Sequence, residues 1–203
     1  MQLFVISYKA GAKGCPVLLK GVLNHDWTWD EFDPDPDKFN ITLNYEYRSK
    51  NPLIDFDFWN DFRIGSDAFC ELCDSFGTYV RRVPLKIIQS NGKPTVKKYN
   101  YLLWRDWLSI IDTEKSDYEI SRDPRTGEIE YDKYFSEIPF YEEITRFIPN
   151  LDKIGKKSVF KCVDIHCEVV CTETFRDACI ERGFLGLDFI PIEEFKMIPP
   201  WKR

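Results

Sequence analysis

Residues 64–85 read IGSDAFCELCDSFGTYVRRVPL, and residues 170–192 read VCTETFRDACIERGFLGLDFIPI. Shifting the first stretch by 106 positions places Ser66 on Thr172, Phe69 on Phe175, Cys73 on Cys179 and Gly77 on Gly183. One extra residue in the second copy then aligns Val83, Pro84 and Leu85 with Ile190, Pro191 and Ile192. Ser66 and Thr172 are suited to accept an orphan amide proton in a first helical turn. Asp67 and Glu173 follow, favourable beside the positive end of a helix dipole. Phe69, Cys73 and Phe76 recur at helical spacing, as do Phe175 and Cys179. Gly77 and Gly183 stand where a helix ends in the left-handed conformation. Each copy is expected to be a helix followed by a strand whose proline lies at an edge or end. Neither is long enough to bury its apolar face alone, and two copies flanking other material suggest one domain with internal pseudo-symmetry, not a solenoid.

The remaining chain supplies strands. Residues 2–8 (QLFVISY), 41–47 (ITLNYEY) and 53–59 (LIDFDFW) are strand-like, the last two by alternation. Prolines in the run Asp33-Pro34-Asp35-Pro36-Asp37 exclude a helix interior and a central strand, which leaves an exposed loop. Residues 99–111 fit either a strand or a helical stripe; their aromatic content favours a strand. Short strands at 118–121 and 128–131 flank a turn, residues 140–148 (FYEEITRFI) suit a short helix stopped by Pro149, and residues 158–163 and 167–171 lead into the second unit. The tail 199–203 is expected to fray. Helices and strands mix without βα alternation. The expected class is therefore α+β, a mainly antiparallel sheet with two pseudo-repeated helix–strand units. Residues 1–60 are expected to form N-terminal strands and an acidic loop packed on a core of residues 61–198.

A net charge of −6 weighs against nucleic acid and anionic membranes, both of which call for basic patches. No apolar stretch is long enough to span a bilayer, and the N-terminus has no basic region ahead of Leu3–Ile6, so no signal peptide is expected. Seven cysteines at irregular spacing suit reduced thiols in the cytoplasm.

Catalytic and metal patterns are incomplete. Cys70 and Cys73 form a CxxC, for which Cys162, His166 and Cys167 would have to supply the second zinc pair; Cys73, however, falls on the buried stripe of its helix. His25 and His166 are the two histidines, and Cys167, next to His166, would point to the opposite face of a strand. Asp30, Glu31, Asp33, Asp35 and Asp37 have a superficial calcium-loop spacing but lack its glycine and closing glutamate. No phosphate loop, nucleophile elbow or HExxH is present. Neither a catalytic residue, a metal nor a cofactor is expected.

The tract 99–118, YNYLLWRDWLSIIDTEKSDY, is similar to the "YYLLN…VVDAID…S.Y" stretch of bacterial toxin-immunity proteins. Gly183, Gly186, Phe189 and Pro191 match that family's Gly-x-Gly-hydrophobic-x-Phe-x-Pro end, and Ser158–Phe160 stands where it has a strand. Lys161 replaces the family's arginine there. Over about residues 62–195 the chain thus resembles immunity protein family eleven, with family forty-three a close relative. The resemblance implies a non-catalytic cytoplasmic antidote, used in bacterial competition, that binds and occludes one co-encoded toxin. Aromatic residues as anchors and carboxylates as steering charge suit such binding. The expected toxin-binding set is Trp27, Trp29, Asp30, Glu31, Asp33, Asp35 and Asp37, with Trp104 and Trp107. A small hydrolase or another protein-binding module is the alternative, and the oligomeric state stays open.

Overall fold

The computed structural model describes residues 1–59 and 63–202. The expected boundary at 60/61 lies outside the described residues. In chain order the strands and helices are β1 (Leu3–Tyr8), β2 (Gly21–Leu23), β3 (Tyr45–Ser49), β4 (Phe58–Trp59), β5 (Ile64–Ser66), α1 (Asp67–Ser75), β6 (Val80–Ile88), β7 (Tyr99–Trp104), β8 (Trp107–Leu108), β9 (Asp117–Ile120), β10 (Tyr141–Arg146), β11 (Val159–Cys162), β12 (Glu168–Thr172), α2 (Glu173–Glu181) and β13 (Leu187–Pro191).

This architecture corrects the expected α+β class. Among the described residues, strand content is about a third (34%) against 15% helix, and the strands form three sheets. The five-stranded sheet runs β13-β1-β12-β11-β8, the six-stranded sheet runs β2-β3-β6-β7-β5-β4, and β9 pairs with β10. Parallel pairs interrupt the antiparallel pattern at β11–β8 and β3–β6. The two helices form where the internal pair places them, but they do not define the fold. Their following strands, β6 and β13, belong to different sheets: β6 is interior, between β3 and β7, and β13 is an edge. Most of the strand content lies outside the pair.

Local physics explains both helices. The Ser66 hydroxyl accepts from the Phe69 amide at 3.1 Å. Thr172 makes no capping bond; its hydroxyl meets that of Thr174 instead. Gly77 and Gly183 take φ values of 69° and 66°. Thr78 and Phe184 then donate back to the Cys73 and Cys179 carbonyls, closing each helix with a left-handed Schellman turn.

Three apolar clusters stack through the molecule. One lies between the two large sheets and includes Phe69, Phe175, Leu102 and Trp104. Another, with Tyr45, Phe56, Tyr99 and Tyr101, fills the outer face of the six-stranded sheet beneath the N-terminal segment. The third, with Leu3, Val5, Tyr141, Ile144 and Phe147, joins the outer face of the five-stranded sheet to β10. Strands β1 and β7 are therefore buried on both faces, and their sequences run apolar without alternating. Each fully buried Phe contributes about 1.5–3 kcal/mol. All seven cysteines are free and buried, with Cys73 and Cys179 on the helix faces turned to the core.

Further expectations need correction. Of the strand expected at 53–59 only Phe58–Trp59 forms, residues 128–131 make isolated bridges at Ile129 and Tyr131 instead of a strand, and the tract 99–111 divides into β7 and β8, which belong to different sheets. Residues 141–146 are strand β10, not a helix. The tail is also tied down: residues 200–202 form a 3-10 turn, and Lys202 reaches Glu119 at 2.6 Å and Glu143 at 2.7 Å.

Candidate functional site

The segment after β2 crosses the outer face of the six-stranded sheet on its aromatic residues. The Trp27 ring lies 4.9 Å from Trp29, 4.8 Å from Tyr45 and 4.6 Å from Tyr101. Trp29 is buried in this box, whereas Trp27 keeps part of its edge in solvent. Trp104 and Trp107 lie in the core between the large sheets, where the Trp107 indole donates to the Trp104 carbonyl at 2.8 Å. Trp104 is 1% exposed.

The acidic run is largely paired within the chain. Asp30 accepts from the Tyr134 hydroxyl at 2.6 Å and from Lys133 at 2.9 Å. These bonds, the tyrosine's first, hold its carboxyl down at about 2. Glu31 takes both the Tyr101 hydroxyl and the Arg63 guanidinium. Asp33 is buried against Lys38. Asp37 accepts from the Tyr79 hydroxyl at 2.6 Å and pairs with Arg105, which lies 3.7 Å above the Tyr79 ring. Asp35 is exposed. The structure thus brings Asp30 to the edge of one cleft, sets Glu31 on the Arg63 that lines it, and directs Asp37 towards Tyr79 and Arg105.

That cleft, about 410 Å³, lies between the acidic segment and the arm of residues 131–140. Phe32, Tyr134 and Phe140 are its aromatic walls, and Asp30, Asp132 and Lys133 its polar rim. Arg63, His166 and Cys167 also line it. The Arg63 guanidinium stacks 4.8 Å from the Phe32 ring. Arg63, His166 and Cys167 have φ values of 48°, 53° and 62°, and among the described residues they alone take positive φ without being glycine. Such strain gathers at sites that surrounding structure over-determines. Here the constraint is visible at the turn from β11 to β12. Asp164 accepts the amides of Ile110 and Ile111 at 2.6 and 2.9 Å and the Ser109 hydroxyl at 2.7 Å.

Burial pushes the Cys167 thiol up to about 11, so at neutral pH it is protonated and weakly nucleophilic. The His166 Nε2 lies 3.2 Å from the Tyr141 carbonyl. Among the described residues, no group of three His, Cys, Asp or Glu side chains is placed to hold a metal, and no helix is long and apolar enough to cross a membrane. The cleft can take an apolar side chain against its rings and a charged one at its rim. Sequence reasoning missed the arm, although Tyr131, Tyr134, Phe135 and Phe140 within ten residues of one another were a visible signal.

A family model described as Immunity protein 43 matches residues 24–198. The match takes in the acidic segment, the cleft and the arm, and so begins well before the tract whose resemblance the sequence carries. It falls on family forty-three, the relative, and not on family eleven. No curated protein matches the chain.

Proposed function

The chain belongs to the immunity protein 43 family, and on that premise we propose that it neutralises one cognate, co-encoded toxin by binding and occluding it. The cleft between Phe32 and Phe140 carries this reading, because it combines exposed rings, a charged rim and a constrained backbone without an activated nucleophile. Buried aromatic anchors supply most of the energy of such interfaces, and complementary charge speeds their formation. From the expected set, Asp35, Asp37 and the edge of Trp27 remain accessible and belong to the proposed toxin-facing surface. The protein acts without catalysis, in the cytoplasm where the toxin would act.

The test is co-expression of the toxin domain encoded beside this gene with and without the protein, together with co-purification of the two. Survival that depends on a stable complex supports the proposal. Survival without a complex, or destruction of the toxin instead of its capture, overturns it.

A further inference from the structure

On the other side of Phe140 and His166, which line both, lies a second and larger groove of about 580 Å³. Its walls are Tyr131, Tyr141, Met197 and the turn Pro199–Trp201. Three of its residues are large apolar side chains left in solvent: Trp201 is 73% exposed, Tyr131 51% and Phe140 40%. Single exposed apolar residues need no explanation, but several converging on one concavity mark a binding surface.

Trp201 is not displayed on a loose end. Met197 exchanges both backbone hydrogen bonds with Ile144, at 2.9 and 3.0 Å, and Lys202 is held by Glu119 and Glu143. An indole carried on a pinned backbone loses little freedom on binding, which makes it a strong anchor.

The charge around the groove identifies the partner's chemistry. Glu130 and Glu142 line it, and among its described lining residues there is no lysine or arginine. Residues 112–143, which include both glutamates, hold eleven Asp and Glu against four Lys and Arg, enough to account for the whole chain's net charge of −6. A basic protein surface complements this face; nucleic acid and a second copy of this acidic chain do not.

We propose that this groove is the toxin's docking site, occupied by a lysine- or arginine-rich face of the toxin that inserts an apolar side chain between Tyr131 and Trp201. This rests on the immunity reading. The cleft beyond Phe140 continues the same surface.

The experiment measures association and dissociation of the purified co-encoded toxin domain with the full chain and with its variants. Trp201→Ala and Tyr131→Ala should each weaken binding at least about tenfold, through faster dissociation. Glu130→Lys with Glu142→Lys should slow association and flatten its salt dependence. Val96→Ser and Ile180→Ser, at exposed positions outside the groove, should change nothing. Hydrogen exchange on the wild-type complex, which needs no variant to fold, should show protection at residues 128–142 and 197–202. If wild type does not bind the toxin, the immunity reading itself fails. If wild type binds while the groove variants bind equally well and protection appears elsewhere, the groove proposal is overturned and the immunity reading stands. Loss of self-association in the groove variants with toxin binding intact would overturn it as well.

Discussion

The Ser66 hydroxyl donates to Asp57 Oδ1 at 2.8 Å while accepting from the Phe69 amide, and both side chains are buried. Asp57 also receives Lys97 Nζ and the Leu185 amide, each at 2.8 Å. The cap of α1 is therefore one corner of a network joining β4, the six-stranded sheet and the loop after α2. Ser66→Ala should cost about 1–3 kcal/mol, since it removes a cap and leaves a buried carboxylate with one partner fewer. Thr172→Val, at the matching position with no capping bond, should cost less than about 1 kcal/mol. Urea denaturation of the two variants measures the difference; equal losses would contradict the network.

Lys161 is fully buried on β11. Burial first, then the Arg63 charge, bring its pKa down to about 7, with Glu168, Cys167 and Glu31 opposing. Between about 7 and the ordinary lysine value of about 10.4, the unfolded chain binds a proton that the folded chain lacks, so this group's contribution to stability rises with pH. Wild type should gain roughly 2 kcal/mol more than Lys161→Met between about pH 6 and about pH 9. Denaturation at both pH values checks this, and parallel pH profiles for the two proteins would refute it.

Asp164 holds the Ser109–Ile111 turn, yet burial pushes its carboxyl above the usual aspartate range. Folding therefore binds the proton more tightly than the unfolded state does, and this contribution falls as pH rises through the raised value. Asp164→Asn keeps an acceptor for the amides and should be tolerated while removing that pH dependence. Asp164→Ala strands two buried amides and should cost at least about 3 kcal/mol. Thermal melts across the acid range separate the two expectations.

Within the acidic segment, Asp35→Lys with Asp37→Lys should slow toxin association while leaving the fold intact, because Asp35 is exposed and Asp37 pairs at the surface. Asp33→Lys should instead destabilise the protein by placing a second ammonium where Lys38 already sits. Stopped-flow association rates and melting curves distinguish the two effects. An unchanged association rate in the double variant would remove the segment from the toxin-facing surface.

Short-range chemistry was open to inspection in the sequence. The two helices, their serine and threonine starts, their glycine ends and the inward-facing Cys73 and Cys179 depend on neighbours within a few residues, and those neighbours are adjacent in the chain. Strand β7, the first part of the tract 99–111, was likewise legible from its aromatic content. The tertiary structure decided the rest, because its causes lie far apart in sequence. Strand β1 pairs with β12 and β13 at the opposite end of the chain, so the sheet order that makes this a mostly β protein leaves no local trace. Residues 140–148 resembled a helix because the apolar Tyr141, Ile144 and Phe147, all buried, recur at every third position. Irregular register between Tyr141 and Glu143, and again between Ile144 and Arg146, stretches a strand's period of two into that spacing. The acidic run resembled an exposed loop because Lys133, Tyr134, Arg63 and Arg105, which pair with its carboxylates, are brought to it by the fold. Charge and periodicity are written residue by residue, but their neutralisation and burial depend on which distant strand arrives alongside.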